Sequence, residues 1–342
     1  SRICYHLTVV DQVVFFKVRV KEGIGVAKVK VSVSGAGEGA SESIELQVRQ
    51  PNQPATDATE AIVEAGSNWE AVPTALGVAG TNSAYLEVST IPPVDMGRRL
   101  QYLIDYPHGC LEQTTSKAFP QLYLASVMEL PDRFAQSMRA NVEAALRKLT
   151  QFQRPDGSFN YWPGGGDNYD QWTSIYAGHF MVEAERQGFV APSGLRAGWL
   201  AHQRRTARDW NNALEQGWSR EASRFTQAYR LYVLALGGSQ ELSSMNRLRE
   251  QPGLDLRTRW MLAAAYGRIG RKDVAEQLVK DLDNTVPAYT EMAYTYGSDL
   301  RDEALIAEAL LTMDRTANAA AVVQRIAKRL SADNWYSTQS TA

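Results

Sequence analysis

Reactive side chains are scarce in this chain: two cysteines, Cys4 and Cys110, and four histidines in 342 residues. So few cysteines form at most one disulfide, which excludes a disulfide-stapled scaffold, and no Cys/His cluster at metal-ligand spacing is present, so neither a metal nor a cofactor is expected. Long apolar runs are also missing. No stretch approaches the length of a membrane span, and the N-terminus shows no signal peptide, so any export signal or lipid anchor is expected to lie outside this chain. An excess of one charge is lacking as well. Thirty-six basic residues face 38 acidic ones, for a net charge of −2, which gives no electrostatic argument for nucleic acid or an anionic membrane surface. What remains is the composition of a soluble globular protein, 44% hydrophobic and 22% charged, long enough for two domains.

The two halves differ in character. Residues 5 to 50 read as strands: Val9-Val10, Val13 to Phe16 and Val18 to Val20 are β-branched and aromatic, while Val26 to Ser34 and Ile44 to Arg49 alternate with period two. Gly23 to Gly25 and Gly35 to Gly39 punctuate them, and the pattern predicts a sheet with one wet face. Pro51, Pro54 and Pro73 mark edge strands and loops, and Ala84 to Thr90 reads as a last strand. After Pro93 the period changes to that of helices. These are expected over Met96–Ile104, Thr115–Met128, Pro131–Phe152, Trp172–Gln187, Gly194–Arg205, Arg220–Leu236, Asp255–Ile269, Lys272–Leu282, Glu303–Leu311 and Asn318–Leu330. The fold class is therefore α+β and mostly α: a small antiparallel β-sheet domain over 1–93, then helical hairpins over 94–342. A closed ring of hairpins, an α/α toroid, is preferred to a solenoid, because no stable 34-residue period is found. Trp335 to Ala342 reads as the first turn of another helix, so the chain is expected to be a fragment whose toroid stops short of its last helix.

The stretch with visible chemistry is Tyr106-Pro107-His108-Gly109-Cys110-Leu111-Glu112-Gln113-Thr114-Thr115-Ser116. If Pro107 and Gly109 set a tight turn and a helix starts near Cys110, one helical turn lays the Gln113 carboxamide over the Cys110 sulfur. A thiol and an amide so held can condense to an internal thioester with loss of ammonia. Effective molarities of roughly 10⁵ to 10⁸ M for oriented groups are the scale this needs, and a helix N-terminus favours the reactive thiolate. The plainer alternative is a buried structural thiol beside a capping glutamine.

Gly-Cys-Leu-Glu-Gln, with Tyr-Pro-His before it and Thr-Thr-Ser after it, resembles the thioester motif of the α2-macroglobulin family, closest to its bacterial members. The order β segment, motif, Asp156-Gly157-Ser158-Phe159, Trp172-Thr173-Ser174 and Ser337 to Thr341 extends that resemblance from about residue 84 to the end. It implies an α/α-toroid thioester domain inserted into a CUB-type β domain, of which residues 1–93 hold the leading strands. The implied function is that of a single-use protease trap and not of a turnover enzyme: lysine amines of a captured protease attack the thioester and become covalently linked. Carried over by residue, Cys110 is the thioester sulfur and Gln113 the acyl donor. Glu112 is a structural motif member, while Tyr106 and Leu111 shield the bond from water. The implied partners are proteases and the remaining macroglobulin-like domains of a longer protein. The implied setting is the periplasm, as an inner-membrane lipoprotein anchored outside this chain. His108 precedes the motif, and neither His179 nor His202 matches a family acyl-relay histidine, so direct aminolysis is expected. No function attaches to Cys4.

Three other classes compete. A toroid enzyme acting on glycans has Asp156, Asp167 and Asp170 beside Tyr161 and Trp162, though no carboxylate pair is specified. A cysteine hydrolase would pair Cys110 with His108 or His179, and a non-catalytic helical scaffold would leave Cys110 inert to amines.

Overall fold

The computed structural model describes residues 13–19, 25–35, 37–48, 55–59, 61, 63, 66–76, 82–86, 88, 104, 107, 109–127, 132–164, 168–211, 217–291, 293–330 and 336–341. The chain divides into one unit of residues 1–57 and 71–83 and another of residues 58–70 and 84–342.

In the first unit, β1 (Gly25–Gly35) and β2 (Glu38–Val48) form an antiparallel hairpin. The pleat sends alternate side chains to opposite faces. Ala27, Val29 and Val33 therefore share a face with their partners Leu46, Ile44 and Ala40, and Lys28, Lys30 and Ser32 face the other way with Glu45, Ser43 and Ser41. The alternation expected over 26–34 and 44–49 is this hairpin. Residues 13–19 and the described part of 84–90 are not in strands. Their β-branched content is a preference for strand, and no strand partner is present for them among the described residues. Val9-Val10 and all of Met96–Ile104 except Ile104 lie outside the described residues.

The second unit is helical. Its elements are α1 (Leu111–Ala118), a 3₁₀ turn (Pro120–Leu122), α2 (Leu124–Val127), α3 (Asp132–Phe152), α4 (Gln171–Arg186), α5 (Leu195–Asp209), α6 (Gly217–Leu236), α7 (Leu242–Arg249), α8 (Leu256–Arg268), α9 (Lys272–Val279), α10 (Asp299–Thr312), α11 (Thr316–Leu330) and α12 (Thr338–Thr341). The neighbour relations close on themselves. α1 packs on α4, α4 on α6, α6 on α8, α8 on α10, α10 on α12, and α12 on α1. α3, α5, α7, α9 and α11 each pack against a member of that circuit.

The two sets differ in sequence as their positions require. Helices of the circuit are covered on nearly every side, and α4 buries Trp172 through Gly178 without interruption, while α3, α9 and α11 keep an apolar stripe and a polar face. The core is aromatic-rich, with Trp172, Tyr229 and Phe225 stacked and Trp199 fully buried. The single helix expected over Thr115–Met128 is broken after Ala118. Pro120 has no N–H to continue the ladder and opens the 3₁₀ turn instead. Helix α7 was not anticipated from the sequence, and α10 begins at Asp299, earlier than the expected Glu303, because Ser298 caps it.

Candidate functional site

Helix α1 starts where the motif predicts. Gly109 has φ +102°, a left-handed conformation, and a Cβ there would lie 2.0 Å from Gln113 Oε1. Only glycine both makes this turn and leaves room for the glutamine side chain. Cys110 is the N-cap: its sulfur accepts the Gln113 N–H at 3.5 Å, and Gln113 Oε1 accepts the Cys110 N–H at 3.3 Å. This is a reciprocal capping box in which cysteine stands in the Ser/Thr position. The sulfur is buried, at 2% exposure, while Gln113 is exposed. The two groups proposed to condense are thus folded onto each other, with the amide on the solvent side.

The surroundings come from three other segments. The loop after α3 turns at Gly157, where a Cβ would meet the Gly198 carbonyl at 2.1 Å, so the loop lies directly on α5. It is held by bridges between Gln153 and Phe159 and between Asn160 and Tyr169, and the Tyr161 carbonyl accepts the Leu111 N–H at 2.9 Å. The Tyr161 side chain lies near enough to Cys110 for the sulfur to act on its hydroxyl. Burial first, then that sulfur, raises its pKa far above the ordinary phenol value. Tyr161 stacks on Tyr296, with centroids 6.2 Å apart. Tyr296 is presented by a hairpin bridged at Thr290 and Ser298, in which Tyr294 and Tyr296 both have φ 51°. That hairpin is pinned from inside. The buried Arg301 donates to the Thr295 carbonyl at 2.9 Å while lying over the Trp172 ring. With its amide nitrogen and oxygen exchanged, the orientation that satisfies both, Gln339 donates to the Thr295 and Tyr296 carbonyls at 3.0 and 3.1 Å and accepts from Trp172 Nε1 at 2.8 Å. From the third segment, Lys148 on α3 donates to the Pro107 and Gly109 carbonyls at 3.2 and 3.3 Å.

The other sequence-derived candidates fall as follows. Glu112 is buried and accepts Ser116 Oγ at 2.8 Å; burial raises its pKa and the Ser116 bond opposes the rise. Leu111 is fully buried in the helical core. Tyr106 and His108 lie outside the described residues. His179 Nδ1 pairs with the Tyr229 hydroxyl at 2.8 Å, edge-on to Phe119 and Tyr232, and burial pushes its pKa down to about 4. His202 sits between Asp156, at 3.5 Å, and Tyr169, at 3.2 Å. Both histidines are thus engaged away from Cys110. Of the glycan-site carboxylates, Asp156 closes its own turn on Ser158 and Asp170 caps α4 through the Thr173 N–H, while Asp167 lies outside the described residues. Among the described residues no His/Cys/Asp/Glu group could hold a metal ion. Tyr296 and Lys148 were not singled out from the sequence, and Tyr161 was noted only as an aromatic of the Asp-Gly-Ser-Phe loop. No local pattern marks them, because their proximity to Cys110 is created by packing.

Known proteins resemble this chain over the region that holds the site. The A-macroglobulin TED domain family model matches residues 86–211, which span the capping box and the Tyr161 loop. The alpha-2-macroglobulin of Escherichia coli strain K12 is 29% identical over 261 residues, 71% of this chain but 15% of its own length. That of Rickettsia conorii is 28% identical over 189 residues, 52% of this chain and 10% of the relative. Among solved structures, Salmonella alpha-2-macroglobulin reacted with methylamine superposes with a TM-score of 0.67 at 25% identity, over 94% of this chain and 22% of that one. Escherichia coli alpha-2-macroglobulin activated by porcine elastase gives 0.61 at 25% identity, over 74% and 23%. The chain thus spans less than a quarter of the length of these relatives. Residues 86–211 carry a domain of the A-macroglobulin TED family, and most of the chain is similar to bacterial alpha-2-macroglobulins.

Proposed function

We propose that Cys110 and Gln113 form an internal thioester, and that this chain is the acylating part of a larger protease trap. The observation that carries the reading is the reciprocal Cys110–Gln113 capping box, which holds the two groups together at a helix N-terminus. Condensation joins sulfur to the Gln113 side-chain carbonyl carbon and releases ammonia. On capture, a neutral amine forms a bond to that carbon, the carbon–sulfur bond breaks, and the amine's surplus proton passes by way of solvent to the departing sulfur, which becomes the Cys110 thiol. As the amine adds, charge develops on Oε1, which accepts the Cys110 N–H; the same donor that sets the cap stabilises the oxyanion. A lysine amine is neutral in only about 10⁻³ to 10⁻⁴ of molecules at neutral pH, so an activated acyl donor is required for capture to be rapid.

Water competes for the same carbon. The Tyr161–Tyr296 stack covers the sulfur side, and the exposed Gln113 side is left for incoming amines and for the cover supplied by other domains of the longer protein. The relatives fit this reading: one has been solved after reaction with methylamine and another after activation by porcine elastase. We place the full-length protein in the periplasm as an anchored lipoprotein, with the β hairpin belonging to a CUB-type domain and the helical circuit forming an α/α toroid. The test is peptide mapping of the full-length protein after exposure to trypsin or elastase. An isopeptide between Gln113 and a protease lysine is the expected product. Protease recovered with no bond to Gln113, from protein that still carries the thioester, overturns the trapping step.

A further inference from the structure

Lys148 lies on a helix that contributes no residue to the motif, yet its ammonium is spent entirely on the motif's backbone. It donates to the carbonyls of Pro107 and Gly109, the residues that turn the chain into Cys110. Its tip also lies over the Phe152 ring, 5.8 Å from the centroid, so one side of the charge rests on an aromatic face. Burial lowers the Lys148 pKa; the Cys110 sulfur opposes that fall and so favours the ammonium, while Lys117 on α1 is a like charge that adds to the fall. Pro107 is buried and Gly109 half-buried, so water reaches these carbonyls poorly and the lysine supplies their hydrogen bonds. A cation fixed beside a cysteine sulfur at a helix start has a chemical consequence, because thiolate is favoured there.

We propose that Lys148 is a positioning residue of the acyl-transfer site: it fixes the Pro107–Gly109 turn so that Gln113 reaches Cys110, and its charge stabilises the sulfur as it leaves. This rests on the thioester reading above. When the amine displaces Cys110, the bonding electrons of the carbon–sulfur bond return to sulfur, and the Lys148 ammonium lies against that developing negative charge. Lys148 also presents the puzzle of an amine next to its own acyl donor. The two carbonyls answer it by stabilising the ammonium form, which has no lone pair to offer Gln113.

The experiment compares the parent chain with Lys148→Met and Lys148→Arg, with thermal melts to confirm that each folds. Intact mass gives the fraction carrying the thioester, and thiol release by methylamine gives the rate per intact bond. In Lys148→Met that rate falls about fivefold, the scale of one charge near a partly exposed group, and Lys148→Arg restores most of it. A Lys148→Met rate equal to the parent's, or an Arg variant as slow as Met, overturns the proposal, as does a Lys148–Gln113 isopeptide in the parent. Iodoacetamide alkylation of the free Cys110 thiol gives the second readout. The Met variant alkylates more slowly than the parent and the Arg variant does not, and equal rates in all three overturn the charge role. Because alkylation needs no thioester, it tests Lys148 even if the parent shows neither ammonia loss nor methylamine uptake, a result that would refute the thioester reading instead.

Discussion

Among the described residues, four helices of eight residues or more open with the same bond, a cap side chain accepting the amide three residues on, and one of the four makes it poorly. Asp170 receives the Thr173 N–H at 2.7 Å, Asp255 the Thr258 N–H at 2.9 Å and Ser298 the Arg301 N–H at 3.2 Å. Cys110 receives the Gln113 N–H on sulfur at 3.5 Å. Sulfur is a weak acceptor, and cysteine is not among the residues that start helices well. The other three caps serve the fold. At α1, stability alone would select Asp, Asn or Ser; the cysteine, the glycine before it and the glutamine whose oxygen folds back are what the proposed thioester would require. A local departure from the best structural residue is where function is to be looked for.

That comparison can be broken in several ways. Cys110→Ser has the largest expected effect. Uptake of methylamine and the ammonia deficit in intact mass vanish completely, while stability is held or raised by about 0.5 kcal/mol in denaturant melts because the hydroxyl caps better. Gly109→Ala comes next. With its cysteine and glutamine both intact it loses the mass deficit, because the added methyl occupies the place of Gln113 Oε1, and it costs about 1 to 3 kcal/mol of stability for the left-handed backbone.

His179 sharpens the contrast from the interior, as a reactive side chain used only for packing. Its pKa is lowered by burial from 6.5 to about 4. Between those values the unfolded chain binds a proton that the folded one does not, so stability falls as pH drops from 6.5 towards 4, by about 2 kcal/mol. Chemical denaturation across that range should show the slope in the parent and a shallower one in His179→Phe, with methylamine uptake at neutral pH unchanged in both. The smallest effect is at an ordinary cap. Asp255→Ala lowers stability by about 1 kcal/mol in the same melts and leaves methylamine uptake as in the parent.

Much of this was legible in the sequence, for reasons that can be named. The hairpin alternates with period two, and α3, α9 and α11 carry an apolar stripe, so local pattern and final environment agree. The capping box was legible because its parts lie within five residues. What could not be read is what packing brings together. Tyr161 and Tyr296 are far apart in the chain and meet only because the circuit of helices closes through α10, α12 and α1. Lys148 looks like any residue on the polar face of α3 until the fold puts it beside the motif turn. Over the described residues 13–19, 84–86 and 88 the expected strands are absent for the converse reason. Strand propensity was present, but pairing is a property of two segments and cannot be read from one.

The central claim is that Cys110 and Gln113 are joined, and intact mass of the freshly purified protein, before and after methylamine and alongside Cys110→Ser, tests it most directly. The account predicts a parent mass one ammonia below that of the sequence, a shift by the mass of one methylamine on treatment, and one new titratable thiol, with none of these in the serine variant. A parent whose mass equals that of the unmodified sequence, with Cys110 titrating as a free thiol from the start and Gln113 still an amide, would contradict it.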